Sequence, residues 1–286
     1  MNERVIYAIA VVLLLAGIGV GAWYWWQQRQ PLPPLQPSVA TAPPPPAAPA
    51  APVQPPPIQH PIENVAPEAK AKAPLALPAE PAQADAVVQR VLVDLVGRHA
   101  VFAFLNTDGF ARRFVATVDN LPRKQASPLS WPVVPTGGRF TTSEGKDGAT
   151  LSATNSERYA PFVKFVQSVD TKDAVSMYVR LYPQLQKAYE ELGYPGRYFN
   201  DRLIAVIDHL LATPEPKAPP QLELPEFKGP VQPTRPWVLV EFAEPSLESL
   251  SAGQKIMLRV GSANAQVLKA KLADIRKQIV RSGAAR

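Results

Sequence analysis

Glu190, Glu191, Asn200, Asp201, Arg202, Asp208 and His209 are the densest set of groups in this chain that could do chemistry. Two carboxylates in unequal surroundings can divide acid and base roles in glycan hydrolysis. Asp201 and Asp208 are seven residues apart, so a helix carries them on one face, with His209 near it. Glu190 lies across a turn that begins at Tyr194. Five of the eight tyrosines fall between Tyr178 and Tyr198, and aromatic faces with polar rims suit sugar rings or a partner surface. The candidate functional face is therefore Tyr194, Arg197, Tyr198, Asn200, Asp201, Arg202, Asp208 and His209, with Glu190 opposite. Structural readings of the same residues stand beside this one. Tyr178, Tyr182 and Tyr189 share an apolar stripe and suit a core. Asp201 in a first helical turn complements the helix dipole. Arg202 can pair with Asp201 or Glu191.

Other chemistries are excluded or unsupported. There is no HExxH, GxxxxGK[ST], GxSxG or EF-hand loop. His60, His99 and His209 are the only histidines and are scattered, so no metal site is expected. With no cysteine, disulfides, thiolate ligands and a Cys nucleophile are excluded. No cofactor is expected, and no nucleic-acid partner. The net charge is +6, and the first 84 residues balance four basic against four acidic groups. The excess therefore sits in the C-terminal region, much of it between Lys255 and Arg286. A basic face attracts anionic polymers or lipid headgroups, and it is also what an ordinary solvated helix face looks like.

The elements that position the polar set read as mainly α with a minor β-hairpin. Val87, Val88, Val91, Leu92, Leu95 and Val96 keep helical spacing, with Gly97 as the stop. Phe102, Phe104 and Leu105 suggest a short buried piece. Thr107 or Asp108 caps a helix carrying Phe110, Phe114, Val115 and Val118. Arg139 to Thr142 and Ala149 to Ala153 read as two strands around a Gly-containing turn. Asn155 or Ser156 starts the next helix. The longest begins at Thr171, with Tyr178, Leu181, Tyr182, Leu185, Tyr189 and Leu192 as its stripe and Pro183 as a kink. Tyr194-Pro195-Gly196-Arg197 fits a type II turn. Asn200 caps a helix carrying Leu203, Ile204, Ile207, Leu210 and Leu211. Residues 214–236 form a proline-rich loop. Val238 to Phe242 reads as a strand and Ser246 to Leu250 as a helical turn. Ser251 and Ser262 cap the last two helices.

Residues 85–286 are thus expected to form one helical domain. Residues 1–4 are a short tail, and residues 5–26 an uncharged apolar run long enough to cross a bilayer, since about 20 helical residues span a ~30 Å core. Trp23, Tyr24, Trp25 and Trp26 mark an interface. A cleavable signal peptide, with Gly19 to Ala22 as its small-residue site, is the competing reading. Arg4 tips the orientation toward a cytoplasmic N-terminus. Gly17 and Gly21 form a GxxxG pair that would permit a weak homodimer. Residues 27–84 hold roughly half of all prolines, remove backbone donors and cannot bury enough apolar surface to order, so a disordered linker is expected. Ile58-Gln59-His60-Pro61-Ile62-Glu63 interrupts it. This island is either plain linker or a segment that docks on the domain or a partner.

Several long words in the chain match a known family. They include Ile58 to Ile62, Thr117-Val118-Asp119-Asn120-Leu121-Pro122, Arg158-Tyr159-Ala160-Pro161 and Tyr178-Val179-Arg180-Leu181-Tyr182-Pro183. Further ones are Ala188 to Pro195, Tyr198 to Leu203, Ile207 to Pro214 and Ser251-Ala252-Gly253-Gln254-Lys255. With the order of apolar run, Pro/Ala linker and helical domain, the chain resembles, over roughly residues 58 to 280, the family catalogued as domain of unknown function 3014. The resemblance implies a Gram-negative inner-membrane protein and no activity. The expectation from both lines is a membrane-tethered envelope protein, its helical domain periplasmic and binding or scaffolding a protein or cell-wall partner. A hydrolase acting on an envelope polymer through residues 190–209 is the second reading, and a spacer with no ligand the third.

Overall fold

A computed structural model of the chain describes residues 56–65, 75, 78, 80–146, 148–225 and 233–280. The expected membrane span, its Gly17/Gly21 pair and the first part of the linker lie outside the described residues. Among the described residues no helix is long and apolar enough to cross a membrane. The described residues belong to a compact unit that runs Pro55–Arg286.

Its helices, in chain order, are α1 (Pro81–Val96), α2 (Arg98–Phe104), α3 (Phe110–Asn120), α4 (Ala153–Ser168), α5 (Thr171–Glu191), α6 (Phe199–Leu211), α7 (Pro245–Glu248), α8 (Ala252–Arg259) and α9 (Ser262–Val280). A 3₁₀ turn at Ile62–Asn64 precedes them. Four short strands, β1 (Thr142–Gly145), β2 (Gly148–Leu151), β3 (Gln221–Glu223) and β4 (Glu241–Phe242), form one antiparallel sheet in the order β1-β2-β3-β4. Thr142 faces Leu151, Ala149 faces Leu222, and Leu222 faces Phe242.

Several helix boundaries follow local chemistry. Gly97 (φ +83°) ends α1. The Asp170 carboxylate accepts from the Lys172 and Asp173 N–H groups at the start of α5. Ser251 Oγ accepts from Gln254 N at the start of α8. Gly196 (φ +71°) and the Arg197 N to Tyr194 O bond of 3.1 Å make the expected turn between α5 and α6. α5 runs through Pro183 without ending.

Other expectations are corrected. Gly109, not Thr107 or Asp108, stands before α3, and its N–H is held by the Asp85 carboxylate at 2.9 Å. Ser152, rather than Asn155 or Ser156, caps α4. Asn200 is not the cap of α6; Tyr198 takes that position and Asn200 is fully buried in the first turn. Residues 98–104 are a helix, and its Phe102 is 60% exposed rather than buried. The hairpin is half of a four-stranded sheet, because Gln221-Leu222-Glu223 is a proline-free window inside the proline-rich stretch. Leu222 turns inward there between two exposed neighbours. The expected strand at Val238–Phe242 shrinks to its last two residues, preceded by a 3₁₀ turn at Pro236–Val238.

Two apolar clusters result among the described residues. The larger joins Val88 and Leu92 of α1, Val115 of α3, Leu181 and Leu185 of α5, Ile204 and Ile207 of α6 and Ile279 of α9. Val65, wholly buried, belongs to it, so the segment before the linker's end is part of the core. The smaller cluster, Leu222, Phe242 and Leu247, lies under the sheet.

Candidate functional site

The N-terminal turn of α6 meets the second half of α5 in a connected polar network. Tyr178 is buried on α5, and burial pushes its phenol well above the usual range. Its hydroxyl donates to Asn200 Oδ1 at 2.8 Å. Asn200 Nδ2 in turn donates to the His60 carbonyl at 2.8 Å. Tyr182, also raised by burial, donates from its hydroxyl to Gln186 Oε1 at 3.1 Å and accepts from Asn200 N at 3.3 Å. Gln186 Oε1 also accepts from Phe199 N, while Nε2 donates to the Arg197 carbonyl and to Glu190 Oε1, each at 2.8 Å. Phe199 N is one of the orphan donors of a helix start, so Gln186 performs the capping that the sequence suggests for Asn200.

This network captures the Ile58–Glu63 island. The Asp201 carboxylate accepts from Gln59 N at 3.0 Å and from His60 N at 2.6 Å. Tyr198 Oη accepts from Ile62 N at 2.7 Å. Burial raises the Tyr198 phenol, against the lowering effect of that N–H. Of the two readings of the island, docking on the domain is the one observed. Three backbone donors of the island are met by two side chains, Asp201 in the first turn of α6 and Tyr198 just before it, and the His60 carbonyl by Asn200.

A second hub sits at the far end of α3. Asp119, 1% exposed, accepts from Arg202 Nε at 3.1 Å and Tyr194 Oη at 3.1 Å, and from Arg123. The side-chain hydrogen bond and charge of Asp119 raise the Arg123 guanidinium further. Arg202 therefore pairs with Asp119, not with Asp201 or Glu191. Asp208 pairs with Arg276 of α9, whose guanidinium that hydrogen bond raises. His209 Nε2 lies 2.8 Å from Ser251 Oγ, the cap of α8.

The expected polar face spans both ends of α6, and its members point to different partners. Tyr198, Asn200 and Asp201 hold the island; Tyr194 and Arg202 hold Asp119; Asp208 and His209 tie α6 to α9 and α8. Glu190 and Arg197 are exposed at the rim. Asp119, Gln186 and the tyrosine hydroxyls are participants the sequence reading passed over. Asp119 could have been found from its i, i+4 spacing to Arg123. Gln186 carries no comparable signal. Among the described residues no group of His, Asp and Glu is placed to hold a metal ion.

Three cavities among the described residues border the fold's helices and sheet, and none of these three takes a wall from Glu190, Asp201, Asp208 or His209. One of about 480 Å³ lies between residues 213–220 and the starts of α4 and α9. One of about 280 Å³ lies beside Trp237 at the sheet. The third, about 340 Å³, runs between α3, α5, α6 and α9. Its two polar neighbours are turned away: Thr117 Oγ1 donates to the Ser130 carbonyl and Tyr178 Oη to Asn200.

Compared with known proteins, residues 110–276 match the model of a family described as Protein of unknown function (DUF3014). No curated protein and no solved structure matches the chain.

Proposed function

We propose, from the premise that this chain belongs to the DUF3014 family, that it is a non-catalytic binding or scaffold module tethered to a bacterial inner membrane. In this reading residues 5–26 span the bilayer, the N-terminus is cytoplasmic, and the helical unit faces the periplasm. Its partner is an envelope protein or a cell-wall component. The observation that carries it is the capture of Gln59, His60 and Ile62 by Asp201, Asn200 and Tyr198. A proline-rich tether is thereby clamped to the folded unit at the end of α5–α6, and pulling or orienting force on the chain enters the domain there. The same contacts weigh against hydrolysis. An acid/base pair needs carboxylates converging on shared space, whereas Asp201 and Asp208 are committed to backbone N–H groups and to Arg276.

Photocrosslinkers placed at the exposed positions Glu190 and Arg197 of the full chain in cells test the binding face. A discrete adduct from either position is expected. Absence of any adduct, with the protein present at its normal level, would leave only the spacer reading. Protease added to spheroplasts should remove the helical unit. A protected unit would reverse the proposed orientation.

A further inference from the structure

We infer that the space between α3, α5, α6 and α9 is a binding site for a single unbranched hydrocarbon chain, the acyl chain of a fatty acid or lipid. The inference rests on the cavity and not on the α6 polar face; its test takes residues 5–26 as the anchor of the proposed function.

Shape and chemistry both point to it. The walls include Phe114 on α3 and Leu121 just after it, Ala174 and Leu185 on α5, and Leu272 and Ile279 on α9. Ala174 to Leu185 extends about 16 Å along a helix at 1.5 Å per residue. The space of about 340 Å³ is lined along that length, so an extended chain fits both its reach and its volume. At interior packing density this space is filled by a chain of about dodecanoyl size. Ligand pockets begin near 300 Å³ and are mostly apolar. Most carry a few polar groups that orient the ligand. Here the Thr117 and Tyr178 hydroxyls are both spent on protein partners, so the occupant needs no polar group along its buried length. Wholly apolar cavities stay dry and take up hydrocarbons. Met177, Leu272 and Ile275 of the lining are half-buried while Val175, Leu181 and Val206 are buried, so the mouth is assigned to that side, where a headgroup would remain outside.

The test uses the full chain reconstituted in phosphatidylcholine nanodiscs. It is irradiated either with a diazirine-bearing dodecanoic acid or with phosphatidylcholine carrying the same chain, then digested and mapped. Labelling is expected on peptides containing Met177–Leu185 and Leu272–Ile279. Reaction with the free acid alone assigns a fatty-acid ligand; reaction with both assigns lipid tails. Val206→Phe, which fills the channel from α6, should cut this labelling by at least about tenfold, a loss of about 1.4 kcal/mol in affinity, while thermal unfolding stays cooperative. Met177→Trp plugs the mouth without entering the packed interior and serves if Val206→Phe fails to fold. Label confined to residues 5–26 with both probes would overturn the inference. So would undiminished channel labelling in a filled variant that still unfolds cooperatively.

Discussion

Asn200 shows how one buried polar side chain can serve two segments distant in sequence. It accepts from Tyr178 and donates to the His60 carbonyl while being completely buried. Removing it strands both partners, and an unmet buried group costs about 1–3 kcal/mol. Asn200→Ala is therefore expected to destabilise by about 3 kcal/mol in urea unfolding; a loss near 1 kcal/mol would mean the site relaxes and only a cap-like role exists. Asp119→Ala removes the carboxylate that accepts from Arg202 Nε, Tyr194 Oη and Arg123, while Arg202 Nη2 keeps the carbonyl of residue 119 at 3.0 Å; breaking such a pair costs about 3–5 kcal/mol when buried. The partial exposure of Arg202 puts the expectation at the low end, about 3 kcal/mol. Gly253 is held by backbone: its N–H donates to the Leu121 carbonyl at 2.8 Å, and a Cβ there would lie 2.6 Å from Leu210 Cδ2 and 3.0 Å from that same carbonyl. Gly253→Ala should cost about 1–3 kcal/mol by overpacking, read as a lowered urea midpoint at unchanged m-value.

At the scale of elements, α5 and α6 are joined by tyrosines rather than by aliphatic packing alone. Tyr178 lies edge-on to Tyr182, Tyr182 is tilted against Tyr198, and Tyr189 stacks on Tyr194. Burial raises the phenols of Tyr178, Tyr182, Tyr189 and Tyr198 above the ordinary value of about 10. The unfolded chain then releases these protons before the folded chain does. The stability they allow is complete below pH about 10 and is lost as pH rises from there through the raised values. Unfolding free energy should be flat with respect to these groups from pH 7 to 9 and fall steeply above 10, with the tyrosinate absorbance of these four, isolated by comparison with their Phe variants, appearing only as the helical signal is lost. Tyrosinate forming at these four ahead of unfolding would show that their hydroxyls reach solvent.

For the molecule as a whole, the compact unit begins well before its first helix. Val65 is buried in the core, Leu75 N donates to the Arg180 carbonyl, and Gln184 Nε2 donates to the Leu75 carbonyl. A fragment starting at residue 85 forfeits about 2 kcal/mol of Val65 burial. It also forfeits several hydrogen bonds of about 1 kcal/mol each. A fragment of residues 55–286 is thus expected to be more stable than one of residues 85–286 by on the order of 4 kcal/mol. Equal denaturation midpoints would mean that the docked island contributes nothing in solution.

Local patterns in the chain determined most of the helices, since the apolar stripes of α1, α3, α5, α6 and α9 are legible wherever burial follows the helical period. The turn at Tyr194–Arg197 was legible too, because Pro and Gly there restrict φ whatever surrounds them. Residue types also located the polar face. What each of its members does was decided only by tertiary structure. Asp201 has the appearance of a dipole-complementing first-turn acid until Gln59 and His60 arrive from more than a hundred residues away. Arg202 finds Asp119 on α3 instead of a neighbour, and Gln186 displaces Asn200 as the cap of α6. β3 is likewise set by pairing with β2 and β4, not by its own three residues. The cavity between α3, α5, α6 and α9 has no signature in the chain at all. Periodicity tells which faces turn inward, and only the packed side chains tell how completely they meet.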